Sequence, residues 1–238
     1  IIQSAKVPIT TLYDRKNVEK MTFETLPTVP DIKLDEAQYK VIEEMVNRGE
    51  YFLLEFDIRN HFKMGPVKYH NIIGVLKGSE YPDEYVICGG HLDAFDVATG
   101  GVDCGTGIAP MMEAARLIAL SGAKPKRTIL FVGFAGEEFG LLGAKAFCER
   151  HKDKLGKIAN LFNRDGGPTP PVGISVPKAM YDDFVEICKP IKEINPEYPF
   201  EVTVAQPRKK PTTMGGTDAS VFAVKGVPTY GFREQDFK

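Results

Sequence analysis

The segment Thr128-Ile129-Leu130-Phe131-Val132-Gly133-Phe134-Ala135 constrains the fold more than any other. It is apolar at consecutive positions, with Lys126-Arg127 before it and Gly136-Glu137-Glu138 after it. A strand with one wet face alternates apolar and polar residues, whereas one that is apolar throughout needs cover on both faces. This segment therefore belongs in the middle of a sheet between two outer layers. Residues 71–76, 84–89, 158–163, 200–205 and 227–232 also read as strands. Helices are predicted over 106–121, with Pro110 in the first turn, over about 139–150, within 178–194, and over 218–224. Strands alternating with helices predict an α/β fold, a three-layer α/β/α sandwich with a mixed, mostly parallel central sheet.

The first part of the chain has a different pattern. Residues 7–12 read as a short strand, and a proline-punctuated stretch follows from 26 to 32. Leu34, Ala37, Val41, Ile42 and Met45 recur at helical spacing, Gly49 closes that helix, and residues 51–58 read as a strand. A boundary near Gly65-Pro66 gives an accessory segment, residues 1–65, and a main domain, residues 66–238.

Composition excludes several classes. With 43% hydrophobic residues the chain can bury a core, so disorder does not describe it. No apolar run approaches the roughly 18 residues of a transmembrane helix. A net charge of −2 lacks the basic excess of a nucleic-acid binder, and Arg208-Lys209-Lys210 reads as a solvated loop. Cys88, Cys104, Cys148 and Cys188 form no CxxC pair, which argues against a zinc finger or thioredoxin-type motif. The chain starts at Ile1 with no signal-like segment and stops at Lys238 just after a strand, so processed ends or a piece of a longer protein are expected.

In sheets of this kind ligands bind at the carboxyl ends of the strands. Three predicted strands end there in chemistry-bearing residues: His91-Leu92-Asp93, Glu137-Glu138 and Arg164-Asp165. Between the first two, Asp103-Cys104 opens a helix. Taken singly, each reads as a cap or a solvated charge. Gathered in one cleft, Asp103, Glu137, Glu138 and Asp165 would repel one another, and a divalent cation is the simplest offset. One imidazole with carboxylates suits zinc, and manganese or cobalt could substitute.

The order and spacing of these residues resemble a known family. Gly89-Gly90-His91-Leu92-Asp93, Asp103 with Gly107, Pro125-Lys126-Arg127-Thr128-Ile129, Phe134-Ala135-Gly136-Glu137-Glu138-Phe139-Gly140-Leu141-Leu142-Gly143 and Asp165 look like the co-catalytic zinc aminopeptidases. That family includes leucyl aminopeptidases, glutamate carboxypeptidases, carboxypeptidase Q, glutaminyl cyclases and the transferrin receptor ectodomain. The short gap from His91 to Asp103 is most similar to the carboxypeptidase Q branch.

The resemblance implies a hydrolase, a zinc exopeptidase acting as an aminopeptidase or dipeptidase on small peptides. It implies two zinc ions in the complete protein: His91 and Asp165 on one, Glu138 on the other, and Asp103 bridging. Glu137 would be the general base and then acid, and Asp93 would orient His91 through its far ring nitrogen. Gly216-Thr217-Asp218 matches a loop beside the substrate. It further implies a secreted, periplasmic or lysosomal location, and it allows a homodimer.

Two departures stand out. Cys104 occupies a position where relatives carry Asp or Asn. No His-Thr pair follows the last strand, so the second metal position is expected to be incomplete in a truncated chain, and fewer than two ions would then bind. Residues 1–65 would be a remnant of a protease-associated domain or a covering subdomain. The family also allows a non-catalytic receptor-like relative and a single-zinc, glutaminyl cyclase-like acyltransferase.

Overall fold

The computed structural model describes residues 2–5, 22–25, 32–59, 61, 65–95, 98–206 and 212–235. The strand predicted over 7–12 and the basic cluster 208–210 lie outside them. The described residues fall into two compact units. One takes in those up to Lys68 together with Phe95, and the other those of 69–94 and 98–238.

In the first unit, β1 (Ile2–Ala5) pairs in parallel with β2 (Ile32–Asp35), which leads directly into α1 (Glu36–Asn47). The Asp35 carboxylate caps the helix by accepting the Ala37 N–H at 2.8 Å. Gly49, at φ 69°, turns the chain just past the helix end, where only glycine takes a left-handed backbone without strain. Residues 51–58, predicted as a strand, have no regular structure, and Tyr51 and Leu53 are 88% and 82% exposed. An apolar run becomes a strand only where a neighbour completes its hydrogen bonds, and here none of the described residues does.

In the second unit, β3 (Ile72–Leu76), β4 (Tyr81–His91), β5 (Arg127–Phe134), β6 (Ile158–Asn163), β7 (Pro171–Val176), β8 (Glu201–Val204) and β9 (Thr229–Glu234) form one sheet in the order β3-β5-β4-β6-β9-β7-β8. The four central strands β5, β4, β6 and β9 run parallel, while β3 is antiparallel to β5 and β7 is antiparallel to β9. The sheet is thus mixed and mostly parallel, as the sequence pattern predicts. The helices are α2 (Gly105–Leu120), α3 (Leu142–Arg150), α4 (Tyr181–Ile194) and α5 (Ala219–Ala223).

Alternation along the strands separates two cores. Ile87, Leu130, Val132, Phe134 and Leu161 pack with Ala144 and Phe147 of α3 and Val221 and Phe222 of α5. Phe162, Tyr230 and Phe232 project to the other face and pack with Tyr181, Phe184 and Cys188 of α4. On that same face Gly90 faces Ile108 of α2. The result is helix, sheet, helix. Phe134 anchors the first core at 0% exposure, with its ring centroid 5.7 Å from Phe222 and 6.2 Å from Phe147. Full burial of such a side chain contributes about 1.5–3 kcal/mol.

Three differences from the sequence expectation have local causes. β7 was not predicted. Its Val172, Ile174 and Val176 alternate as a strand should, but Pro168, Pro170 and Pro171 crowd its start and read as loop. The third helix begins at Leu142 rather than 139, because Gly136 to Leu141 form a turn with left-handed backbone at Gly136 and Leu141. Pro110 lies in the second turn of α2, so the helix forgoes the bond that residue 110 would give the Thr106 carbonyl.

Candidate metal centre

The parallel strands β4, β5 and β6 end on one edge of the sheet, and the candidate residues follow their last positions. His91 is the final residue of β4 and is 1% exposed. Its Nδ1 sits 2.8 Å from the carbonyl oxygen of Asp93, which fixes the ring. Its Nε2 meets Asp103 Oδ1 at 2.8 Å and Asp165 Oδ1 at 3.3 Å. Asp165 follows β6 by two residues, and Asp103 sits just before α2.

Close packing delivers Asp103. A side chain at Gly107 would overlap both the Arg164 carbonyl oxygen and Cys104 Sγ, so glycine lets the start of α2 press against the β6 end. Thr106 Oγ1 ties the same turn down by donating to the Gly166 carbonyl at 2.7 Å. Cys104, buried beside Asp103, donates its thiol to the Arg164 carbonyl at 3.2 Å. One donor atom from each of His91, Asp103, Cys104 and Asp165 lies within 4.8 Å of the others.

Asp93 meets the far ring nitrogen of His91 through its backbone carbonyl, and its side chain has a further task. Its carboxylate is 3.7 Å from Nδ1 and instead accepts the backbone N–H groups of Glu137 at 3.0 Å and Glu138 at 3.1 Å. The ring is held by the backbone carbonyl of Asp93, and the carboxylate pins the turn after β5. Neither Glu137 nor Glu138 is among the four residues whose donor atoms lie within 4.8 Å of one another.

The charges couple strongly. Burial disfavours the His91 imidazolium, but the hydrogen bonds it donates to the Asp165 and Cys104 side chains, and their charges, push its pKa up to about 12. Burial likewise disfavours the Asp165 carboxylate, yet hydrogen bonds from His91 and Thr217 and the His91 charge hold it below its ordinary range. Burial raises Glu137 to about 7, helped by the charges of Asp165, Glu138 and Asp93 and opposed by His91.

Sequence reasoning did not define the support around Asp165. Asn163 Nδ2 donates to Thr217 Oγ1 at 2.7 Å, which links the Gly216-Thr217-Asp218 loop to β6. Asp218 is 1% exposed, and among the described residues neither carboxylate oxygen has a hydrogen-bond partner. Burial raises its pKa to about 7, with Glu137 the first of the neighbouring charges to add to the rise. The proximity of Thr217 to Asp165 had no local sequence signal, because the two residues lie far apart in the sequence and meet through side-chain hydrogen bonds. A cavity of about 460 Å³ opens beside Asp165, lined in part by Arg164, Thr217, Tyr230, Phe232 and Glu234.

The donor set fits a divalent cation. Nε2 can carry one proton, yet two carboxylate oxygens converge on it, one from Asp103 and one from Asp165. A single N–H serves one of them well, whereas an ion serves imidazole and both carboxylates together.

Residues 71–238 match the description Peptidase family M28. Carboxypeptidase Q of Rattus norvegicus is 29% identical over 218 residues, covering 90% of this chain and 43% of that protein. A protein of Pyrenophora tritici-repentis described as a probable zinc metalloprotease is 42% identical over 108 residues, covering 42% of this chain and 24% of that protein. The crystal structure of a peptidase M28 precursor from Shewanella amazonensis has a TM-score of 0.68 at 26% identity, covering 89% of this chain and 46% of that one. The chain spans less than half the length of each. Because the match takes in all seven strands of the sheet and every candidate residue of the centre, the chain belongs to peptidase family M28.

Proposed function

We propose that this chain carries the metal-binding part of a zinc-dependent exopeptidase, an aminopeptidase or dipeptidase that hydrolyses the N-terminal peptide bond of small peptides. The observation behind this reading is the convergence of His91, Asp103 and Asp165 on one point, with a proton-exchanging carboxyl beside it. His91, Asp103 and Asp165 would hold one zinc, with Asp103 shared and Glu138 serving a second. The bound metal supplies Lewis acidity toward the scissile carbonyl and toward a water molecule.

The remaining work falls to the chain. Glu137, whose carboxyl burial pushes up in the metal-free protein, takes a proton from the attacking water and returns it to the leaving amine. Asp93 holds the Glu137 amide, and so the base, against the centre. The cavity beside Asp165 receives the peptide, with the Gly216-Thr217-Asp218 loop along it. Residues 1–65 act as an accessory or protease-associated segment, residues 66–238 as the catalytic domain, and the protein works in a secreted, periplasmic or lysosomal setting. Among the described residues no helix is long and apolar enough to cross a membrane.

Glu137→Gln tests the assignment. The variant should keep its zinc and lose roughly 10²–10⁴-fold in kcat. Near-normal turnover would remove Glu137 from the role. A wild-type protein that takes up no zinc would favour the receptor-like alternative, and one that releases ammonia or water from N-terminal glutaminyl or glutamyl peptides without hydrolysing them would favour the cyclase-like one.

A further inference from the structure

We propose that Cys104 is a metal ligand, so that this centre presents a mixed imidazole, carboxylate and thiolate donor set rather than one of nitrogen and oxygen alone. The proposal rests on the metal centre described above and extends it to a residue with no assigned part.

Three observations carry it. Sγ of Cys104 belongs to the same 4.8 Å group as the His91, Asp103 and Asp165 donor atoms, so a contraction of about 1 Å brings the four to the roughly 3.3–3.6 Å donor separations of a tetrahedral ion with zinc–ligand bonds of about 2.0–2.3 Å. The thiol is enclosed: Cys104 is 1% exposed, a Cβ on Gly90 would lie 3.4 Å from Sγ, and one on Gly107 would overlap it. Two glycines thus leave room for sulfur at this place. Finally, its hydrogen bond to the Arg164 carbonyl uses the S–H as a weak donor, which competes poorly with a thiolate–metal bond.

When the ion binds, the sulfur–metal bond forms and the S–H proton passes to solvent; nothing is oxidised or reduced. A thiolate favours zinc, cobalt and cadmium over manganese and magnesium. The other three cysteines serve as internal controls, since Cys88, Cys148 and Cys188 lie outside this group and burial pushes their thiols up.

The intact protein, stripped with a chelator and reloaded with one equivalent of cobalt(II), should show a sulfur-to-cobalt charge-transfer band. That band should be lost in Cys104→Ser and kept in Cys88→Ala, Cys148→Ala and Cys188→Ala. X-ray absorption of the zinc-loaded wild type should show a sulfur scatterer at about 2.3 Å beside nitrogen and oxygen at about 2.0–2.1 Å, a result that needs no variant to fold. Cobalt bound without the band, or zinc with nitrogen and oxygen scatterers only, would overturn the proposal and leave the metal centre standing. No uptake of either ion would overturn both.

Discussion

Replacing Asp93 by Asn tests how the centre is assembled. The carboxylate accepts the Glu137 N–H at 3.0 Å and the Glu138 N–H at 3.1 Å. Asparagine has the same shape but turns an NH₂ toward one of these donors, so one bond is lost and the other loses its charge. A hydrogen bond to a charged acceptor contributes about 1.5–3 kcal/mol, and a neutral one about 1 kcal/mol. The Asp93 side chain is 18% exposed, so solvent screens little of this. The expected loss is about 2–5 kcal/mol, which for a domain of this size lowers Tm by about 4–20 °C. The assay is chemical denaturation of the chelator-stripped protein, so that loss of bound metal adds nothing, together with hydrogen exchange at amides 137 and 138. The denaturation midpoint should fall with the m value unchanged, and both amides should lose protection. A change below about 0.5 kcal/mol with full protection at both amides would refute the role given to Asp93.

Other expectations follow from the same geometry. In the metal-stripped protein, Glu137 and Asp218 are raised to about 7 from their ordinary values of 4.5 and 3.8, first by burial, and His91 is raised from 6.5 to about 12 against its burial. A raised folded pKa gives stability that is present below the unfolded value and lost as pH rises through the folded one. All three groups act in this direction, so Tm of the stripped protein should fall between about pH 5 and pH 8; a rise over that range would contradict the assigned environments. Phe134→Ala should cost about 3–5 kcal/mol in denaturant unfolding, because the ring is fully buried between Phe147 and Phe222. A cost below about 1 kcal/mol would mean that the first core is packed differently.

Much of the architecture was legible because its signals are local. Thr128 to Ala135 is apolar on both faces and became the strand between β3 and β4. His91, Asp103 and Asp165 could be singled out because each follows or precedes a recognisable element, and strand ends in such sheets face one another. What could not be read depends on partners distant in the sequence. The late start of α3 reflects amides drawn to Asp93, more than forty residues earlier. β7 becomes a strand because β8 and β9 flank it, and residues 51–58 do not because no described residue pairs with them. Asp218 was singled out only within a Gly216-Thr217-Asp218 loop and at the start of a short helix; its burial arises from the packing of α5 against the sheet.

The central claim is that the residues gathered at these strand ends hold a divalent cation, and zinc titration into the chelator-stripped intact protein tests it most directly. Calorimetry should show tight binding, and the unfolding free energy should rise by about 2.7 kcal/mol at a free zinc concentration one hundred times Kd. Asp165→Asn and His91→Ala should each abolish tight binding while leaving the far-ultraviolet circular dichroism intact. Absence of zinc uptake by the folded wild type, or uptake undiminished in both variants, would contradict the account.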